Sequence, residues 1–275
     1  MSSRPASLLM RIRRKLFEAY RWRRFLSVPQ PVLWGVYKSF EEARAALPPE
    51  RKIGFDITLL AKQYGEQFLS NNWEGSNSII RSFDYPVLFW MREILFSDPN
   101  ISLIVDFGGG IGVHFYAYSG YLLLPENLKW HVVELPSMIA EGESIARQKN
   151  ARQLYFSAQI STLARADVFF ASGVVHYVDS LASLHRSLSS LPQYLLLNRL
   201  PLYDGESFVT TQNAGLSFYP QHVFNRAEFI ASLTSLGYRI RDEWRDNTDS
   251  IVILFHPERC VPHCCGLFLE LVNND

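Results

Sequence analysis

The chain has 275 residues, with 27 basic and 27 acidic side chains and no net charge. That length fits one large domain or a domain with a cap, and the charge balance removes any global case for nucleic-acid binding. Three cysteines, Cys260, Cys264 and Cys265, sit near one end in an odd number, which argues against a disulfide framework and for a reducing, cytoplasmic setting.

The charge is unevenly spread. Residues 1–24 hold eight basic side chains and one acidic one, Glu18. Leu9, Ile12, Leu16 and Tyr20 recur at spacings of three and four, which predicts a helix over 5–26 with arginines on its other faces. Residues 1–28 therefore read as a basic amphipathic arm. It is either solvated or, through residues 8–25 with Phe17 and Trp22, laid on an anionic surface at the inner membrane face. No run of 18 apolar residues marks a membrane span, and the arm is charged where a signal peptide needs an apolar core. Pro29 and Pro31 end the helix. Ser39 and Glu42 have capping-box spacing for a short helix. Residues 56–71 and 84–96 read as helices, so 29–98 is expected to be a helical cap.

From residue 101 the texture changes. Apolar runs at 101–107, 129–135, 152–158, 166–173 and 193–200 alternate with helical segments, including 136–150, 180–191 and 225–237. Buried strands alternating with helices predict a doubly wound, mostly parallel α/β sheet. The last two runs, 238–244 and 250–256, have only a short polar stretch between them and read as a closing hairpin with one antiparallel strand. The α/β domain then covers 99–258, and 259–275 is left as a tail.

The first of these strands runs into "VDFGGGIG". No Lys follows Gly112, so this is not a P-loop, and the third glycine of a dinucleotide fingerprint would fall at Val113 or Phe115. The chain instead satisfies D-x-G-x-G-x-G through Asp106, Gly108, Gly110 and Gly112, with Gly109 between. Glu134 ends the second strand, 22 residues after Gly112. A carboxylate there can accept both protons of a ribose diol.

Those residues resemble motif I and the acidic strand end of class I S-adenosylmethionine-dependent methyltransferases, over about residues 100–256. The resemblance implies a seven-stranded Rossmann-like sheet and S-adenosyl-L-methionine as cofactor. It implies cofactor contacts from Asp106, Gly108, Gly109, Gly110, Gly112, Glu134 and Leu135. Ser157, Ala158 or Gln159 would serve the adenine, and Ser172 and Gly173 would belong to the segment after the fourth strand. "WGVYKSFEEA", with "GFD" soon after, resembles a group of methyltransferases associated with bacterial surface-polysaccharide genes. That narrower resemblance implies sugar hydroxyls, a small-molecule or glycan acceptor, as the methyl target.

His176 follows the fourth strand and is the candidate general base, with a structural partnership as the other reading. Asn198 and Arg199 end the fifth strand as candidate substrate contacts; Arg199 can hold an anion or pair with Asp204. Residues 201–224 read as a lid-forming loop offering Tyr203, Tyr219 and His222. His256, Cys260, His263, Cys264 and Cys265 raise a zinc reading, but their spacing fits no common ligand pattern and no metal is expected. The rival functions are a catalytically degenerate scaffold of the same fold and an NAD(P)-dependent oxidoreductase.

Overall fold

The computed structural model describes residues 12, 15–16, 19–20, 23, 33–47, 52–54, 56–70, 80–163, 165–179, 187–188, 190–214 and 217–272. Its main sheet has seven strands: β3 (Leu103–Phe107), β4 (Lys129–Val133), β5 (Leu154–Ser157), β6 (Val168–Ser172), β7 (Tyr194–Leu200), β11 (Tyr238–Asp246) and β13 (Cys264–Leu271). Their spatial order is β11-β13-β7-β6-β3-β4-β5. Pairings among β3 to β7 are all parallel, while β13 is antiparallel to both β7 and β11. The Rossmann-like α/β architecture expected from the sequence is therefore present.

Alternation along these strands builds two cores. Val105, Phe169, Leu195, Leu197, Leu267 and Leu269 face one side, where Phe229 and Leu233 of α6 (Arg226–Thr234) pack. Ile104, Val168, Phe170, Leu196 and Phe268 face the other. There they meet Val87, Met91 and Ile94 of α3 (Tyr85–Ser97) and Phe115 and Tyr118 of α4 (Val113–Ser119). Burial on both faces explains why the strands read as continuous apolar runs. α5 (Pro136–Gln148) lies against β5, and α2 (Thr58–Ser70) packs on α5, with Phe68 and Ile145 meeting Ile111 beside the glycine turn.

The closing hairpin is not the one the sequence suggests. Residues 253–254 form the short β12, which leaves the main sheet, and β11 pairs instead with β13, in the segment expected to be a tail. The apolar run of β13 begins with two cysteines and contains Gly266, which masks its strand character. Gly266 has its reason: a Cβ there would lie 2.0 Å from the Trp244 indole on β11.

The stretch expected to be a lid is regular structure as well. β8 (Leu202–Tyr203), β9 (Phe208–Asn213) and β10 (Ser217–Asn225) join β1 (Leu33–Tyr37), β2 (Lys52–Ile53) and β12 in a second sheet, ordered β12-β1-β9-β10-β2 with β8 beside β10. The segment 29–98 thus supplies strands to this sheet as well as helices. Ser39 caps α1 (Phe40–Ala45), with Glu42 N donating to Ser39 Oγ at 3.1 Å, while the Glu42 carboxylate accepts from Lys38 N at 2.8 Å, one residue before the N–H a capping box would use. Of the basic arm, Ile12, Lys15, Leu16, Ala19, Tyr20 and Arg23 are helical and exposed; the rest of it, and most of 180–191, lies outside the described residues. No helix among the described residues is long and apolar enough to cross a membrane.

Candidate active site

From β3 the chain passes to β4 and β5 on one side, then returns to the other side of β3 to form β6. The switch leaves a crevice beyond the carboxyl ends of β3 and β6. Gly108, after β3, and Gly173 and Val174, after β6, line it together. Gly108 adopts φ +71°, and a Cβ there would lie 2.4 Å from Val174 Cγ2. Gly110 also has positive φ (+59°), but a Cβ there would meet only Tyr64 Cε1, at an ordinary contact distance of 3.7 Å. The turn is bare for two reasons: it fits against the exit of β6, and it leaves room above its backbone.

Two cavities meet over this turn and share Gly108, Glu134 and Met138. The larger, about 390 Å³, is mostly apolar, with Phe107, Val133, Leu135, Ala158, Val174 and Val178 in its walls. The smaller, about 250 Å³, is the more polar of the two, with Arg81, Asp84, His114, Ser172 and Arg199 beside Phe83 and Val113. Glu134 stands at the junction. Its carboxylate accepts from Leu135 N at 2.7 Å, and burial, helped by the Asp106 and Asp56 charges, raises its pKa despite that bond.

Asp106 is fully buried beneath the turn, where a Cβ on Gly109 would lie 2.5 Å from its carboxyl carbon. It accepts from Trp130 Nε1 at 3.1 Å, and both its oxygens lie 3.1 Å from His114 Nδ1. Asp106 is thus the floor of the site, out of reach of a ligand, rather than the cofactor contact the motif implies. His114 is a site residue that sequence reasoning misses. Its one signal is position, eight residues after Asp106 and two into α4. Burial acts to lower its pKa, but Asp106, through charge and hydrogen bond, and Asp84 outweigh that and leave it raised.

The other expected residues divide. Gly108, Gly109, Gly110, Glu134, Leu135, Ala158, Ser172, Gly173 and Arg199 all line the two cavities. Gly112 caps α4, its N–H donating to Gly109 O at 3.0 Å. Ser157 lines neither; its hydroxyl meets His131 Nε2 at 2.9 Å. Arg199 pairs with Asp249 at 2.6 Å, not with Asp204, and lies 4.6 Å over the Phe83 ring. Asn198 is wholly buried and structural: Nδ2 donates to Phe83 O, and Oδ1 accepts from Trp244 Nε1, both at 3.0 Å.

His176 does not fit the base expected of it. It is buried behind the crevice and lines neither cavity, and its Nδ1 has no partner among the described residues. Burial, with Arg199 and His222, lowers its pKa to about 3. Tyr203, Tyr219 and His222 line neither cavity, because they lie on β8 and β10 rather than on a loop. Tyr203 donates to Glu206 O and accepts from Arg259; Tyr219 packs edge-on to Tyr177; His222 lies against Phe40, 4.7 Å between rings. Cys264 and Cys265 point into different clusters, and no group of three or more metal-ligating side chains occurs among the described residues.

No family model matches the chain, and no curated protein matches it. Solved structures do. An S-adenosylmethionine-dependent methyltransferase from Clostridium acetobutylicum ATCC 824 is similar at 11% identity and TM-score 0.49, over 75% of this chain and 98% of that one. Magnesium protoporphyrin IX methyltransferase from Synechocystis PCC 6803, with bound SAH, is similar at 14% and 0.47, over 79% and 100%. A SAM-dependent methyltransferase from Aquifex aeolicus is similar at 13% and 0.46, over 80% and 100%. These are likenesses of fold, and the chemistry has to be read from the crevice.

Proposed function

We propose that this chain transfers a methyl group from S-adenosylmethionine to a hydroxyl oxygen of a small molecule or glycan. The observation that carries the reading is the Glu134 carboxylate beside a bare glycine turn, at the junction of an apolar and a polar cavity. That division matches the cofactor's own. The apolar cavity, with Leu135 and Ala158, suits the adenine. Glu134 suits the ribose diol, and the polar cavity gives room for the charged amino-acid end and, beside His114, for the acceptor. Gly108, Gly109 and Gly110 in the wall of that cavity let a ligand approach the backbone closely. When bound, S-adenosylmethionine supplies a methyl group on a sulfonium, open to in-line displacement. The chain's task is to align an oxygen with that carbon, exclude water and take up a proton. The choice of a sugar hydroxyl rests on the narrower resemblance of "WGVYKSFEEA".

Thermal unfolding with S-adenosylmethionine, S-adenosylhomocysteine and NADPH in parallel tests the reading. Ligand at 100 times its dissociation constant adds about 2.7 kcal/mol, a shift of about 5–10 °C in a chain of this size. A shift with the sulfur ligands alone is the expected result. A shift with NADPH alone would replace the reading with the oxidoreductase. Binding with no methylated product from a panel of sugar acceptors would favour the scaffold.

The basic arm over 8–25 fits a further role, holding the enzyme on an anionic membrane where lipid-linked sugars are met. The exposure of Ile12, Leu16 and Tyr20 supports it. Sedimentation with phosphatidylglycerol vesicles is expected at low salt, and lost without residues 1–28.

A further inference from the structure

We infer that His114 and Asp106 form a base dyad, in which the buried carboxylate fixes His114 Nδ1–H and Nε2 takes the proton of the acceptor hydroxyl. This rests on the methyl-transfer reading and deepens it. Asp106 is closed off from solvent, and its two oxygens lie equally near His114 Nδ1. That contact sets the tautomer, with the proton on Nδ1 and the lone pair on Nε2. Trp130 Nε1 donates to the same carboxylate and holds it in place. The ring, its side chain 15% exposed, lines the polar cavity with Gly108, Gly109, Gly110 and Glu134. With Nδ1 committed to Asp106, Nε2 is the nitrogen left for that cavity.

The step balances without any added reagent. An electron pair on the acceptor oxygen forms the new O–C bond to the methyl carbon. The C–S bond breaks with its pair left on sulfur, which becomes a neutral thioether. The hydroxyl proton passes to His114 Nε2, and the imidazolium stays opposite the Asp106 carboxylate until water removes the proton. An orienting carboxylate behind a histidine stabilises the imidazolium as it forms.

The groups facing the ring agree with this use. Asp106 lies on β3, Asp84 in the turn before α3 and Arg199 at the end of β7; Phe170 of β6 packs 4.8 Å away between ring centres. Two carboxylates against one guanidinium favour a ring that accepts a proton. One oxygen of Asp84 already accepts from the Tyr118 hydroxyl at 3.0 Å, which leaves His114 the better placed acceptor for the hydroxyl proton.

Carbethoxylation by diethyl pyrocarbonate, followed at the His114 peptide by mass spectrometry, reads both the titration and the access of Nε2. The reagent attacks only unprotonated imidazole. The dyad predicts that His114 is modified with a midpoint above that of an ordinary histidine. It predicts that D106N raises its rate at pH 6 by about threefold to tenfold. Saturating S-adenosylhomocysteine, with binding established separately by calorimetry, should leave the His114 rate within about twofold, because the acceptor's place is then empty. H114Q should leave S-adenosylhomocysteine affinity within about threefold. Shielding of His114 by that ligand, or a loss of affinity beyond tenfold in H114Q, would make the ring a cofactor contact and overturn the dyad alone. A wild-type midpoint at or below the ordinary value would overturn it too, and needs no variant. Failure of S-adenosylhomocysteine to bind would overturn the methyl-transfer reading, and the base assignment with it.

Discussion

Two turns leave neighbouring parallel strands of one sheet, and each carries a histidine. After β3, His114 meets a buried carboxylate and lines a cavity; after β6, His176 meets Arg199 and His222 and lines none. By sequence alone His176 is the better candidate base, since it directly follows a strand end. The difference teaches that strand-end position nominates a residue, while the charge facing it decides its chemistry.

The largest test of this contrast removes the carboxylate. Asp106→Ala leaves Trp130 Nε1 and His114 Nδ1 without their buried acceptor, and is expected to cost about 3–5 kcal/mol in urea unfolding. Gly108→Ala strikes where the two turns touch. Its positive φ and the contact with Val174 predict a loss of about 2–3 kcal/mol together with S-adenosylhomocysteine binding. Glu134→Gln should leave the fold intact and weaken that ligand about tenfold to thirtyfold by calorimetry, because it removes a charged acceptor. In the native chain the raised Glu134 pKa means that affinity falls on acidification at a higher pH than an exposed carboxylate would give.

The finest test is the sign of the pH dependence. His176 has a folded pKa below its unfolded one, so the unfolded chain binds its proton first. Stability falls as pH drops from 6.5 towards 3, with a slope of up to about 1.4 kcal/mol per unit. His114 is shifted the other way: its contribution is full below pH 6.5 and lost as pH rises through the folded value. His176→Phe should flatten the acid limb and leave the other untouched. The same sign for both histidines would dissolve the contrast.

The part of the sheet from β3 to β7 is legible in the sequence because both its faces are buried, and long apolar runs with a glycine turn survive any packing detail. The rest is hidden for particular reasons. β13 opens on Cys264 and Cys265 and is interrupted by Gly266, whose missing side chain seats Trp244. β9 and β10 bury Thr210, Thr211, Asn213, Ser217 and Gln221, so their composition reads as loop. Asn198 reads as a substrate contact because polarity at a strand end is ambiguous until its partners, Phe83 O and Trp244, are known. Recognising His114 requires knowing that Asp106 points under the turn rather than over it.

The place of β13 also has a consequence for synthesis. It is the strand that joins β11 to β7, yet it is the last of the three to leave the ribosome. At roughly 5–20 residues per second, the edge of β7 waits several seconds for its neighbour. Through that interval a row of leucines, Leu195 to Leu197, borders an unpaired backbone, the arrangement that recruits strands from other chains. A nascent chain stalled before residue 264 is therefore a client for a chaperone, and one released there is a seed for aggregation.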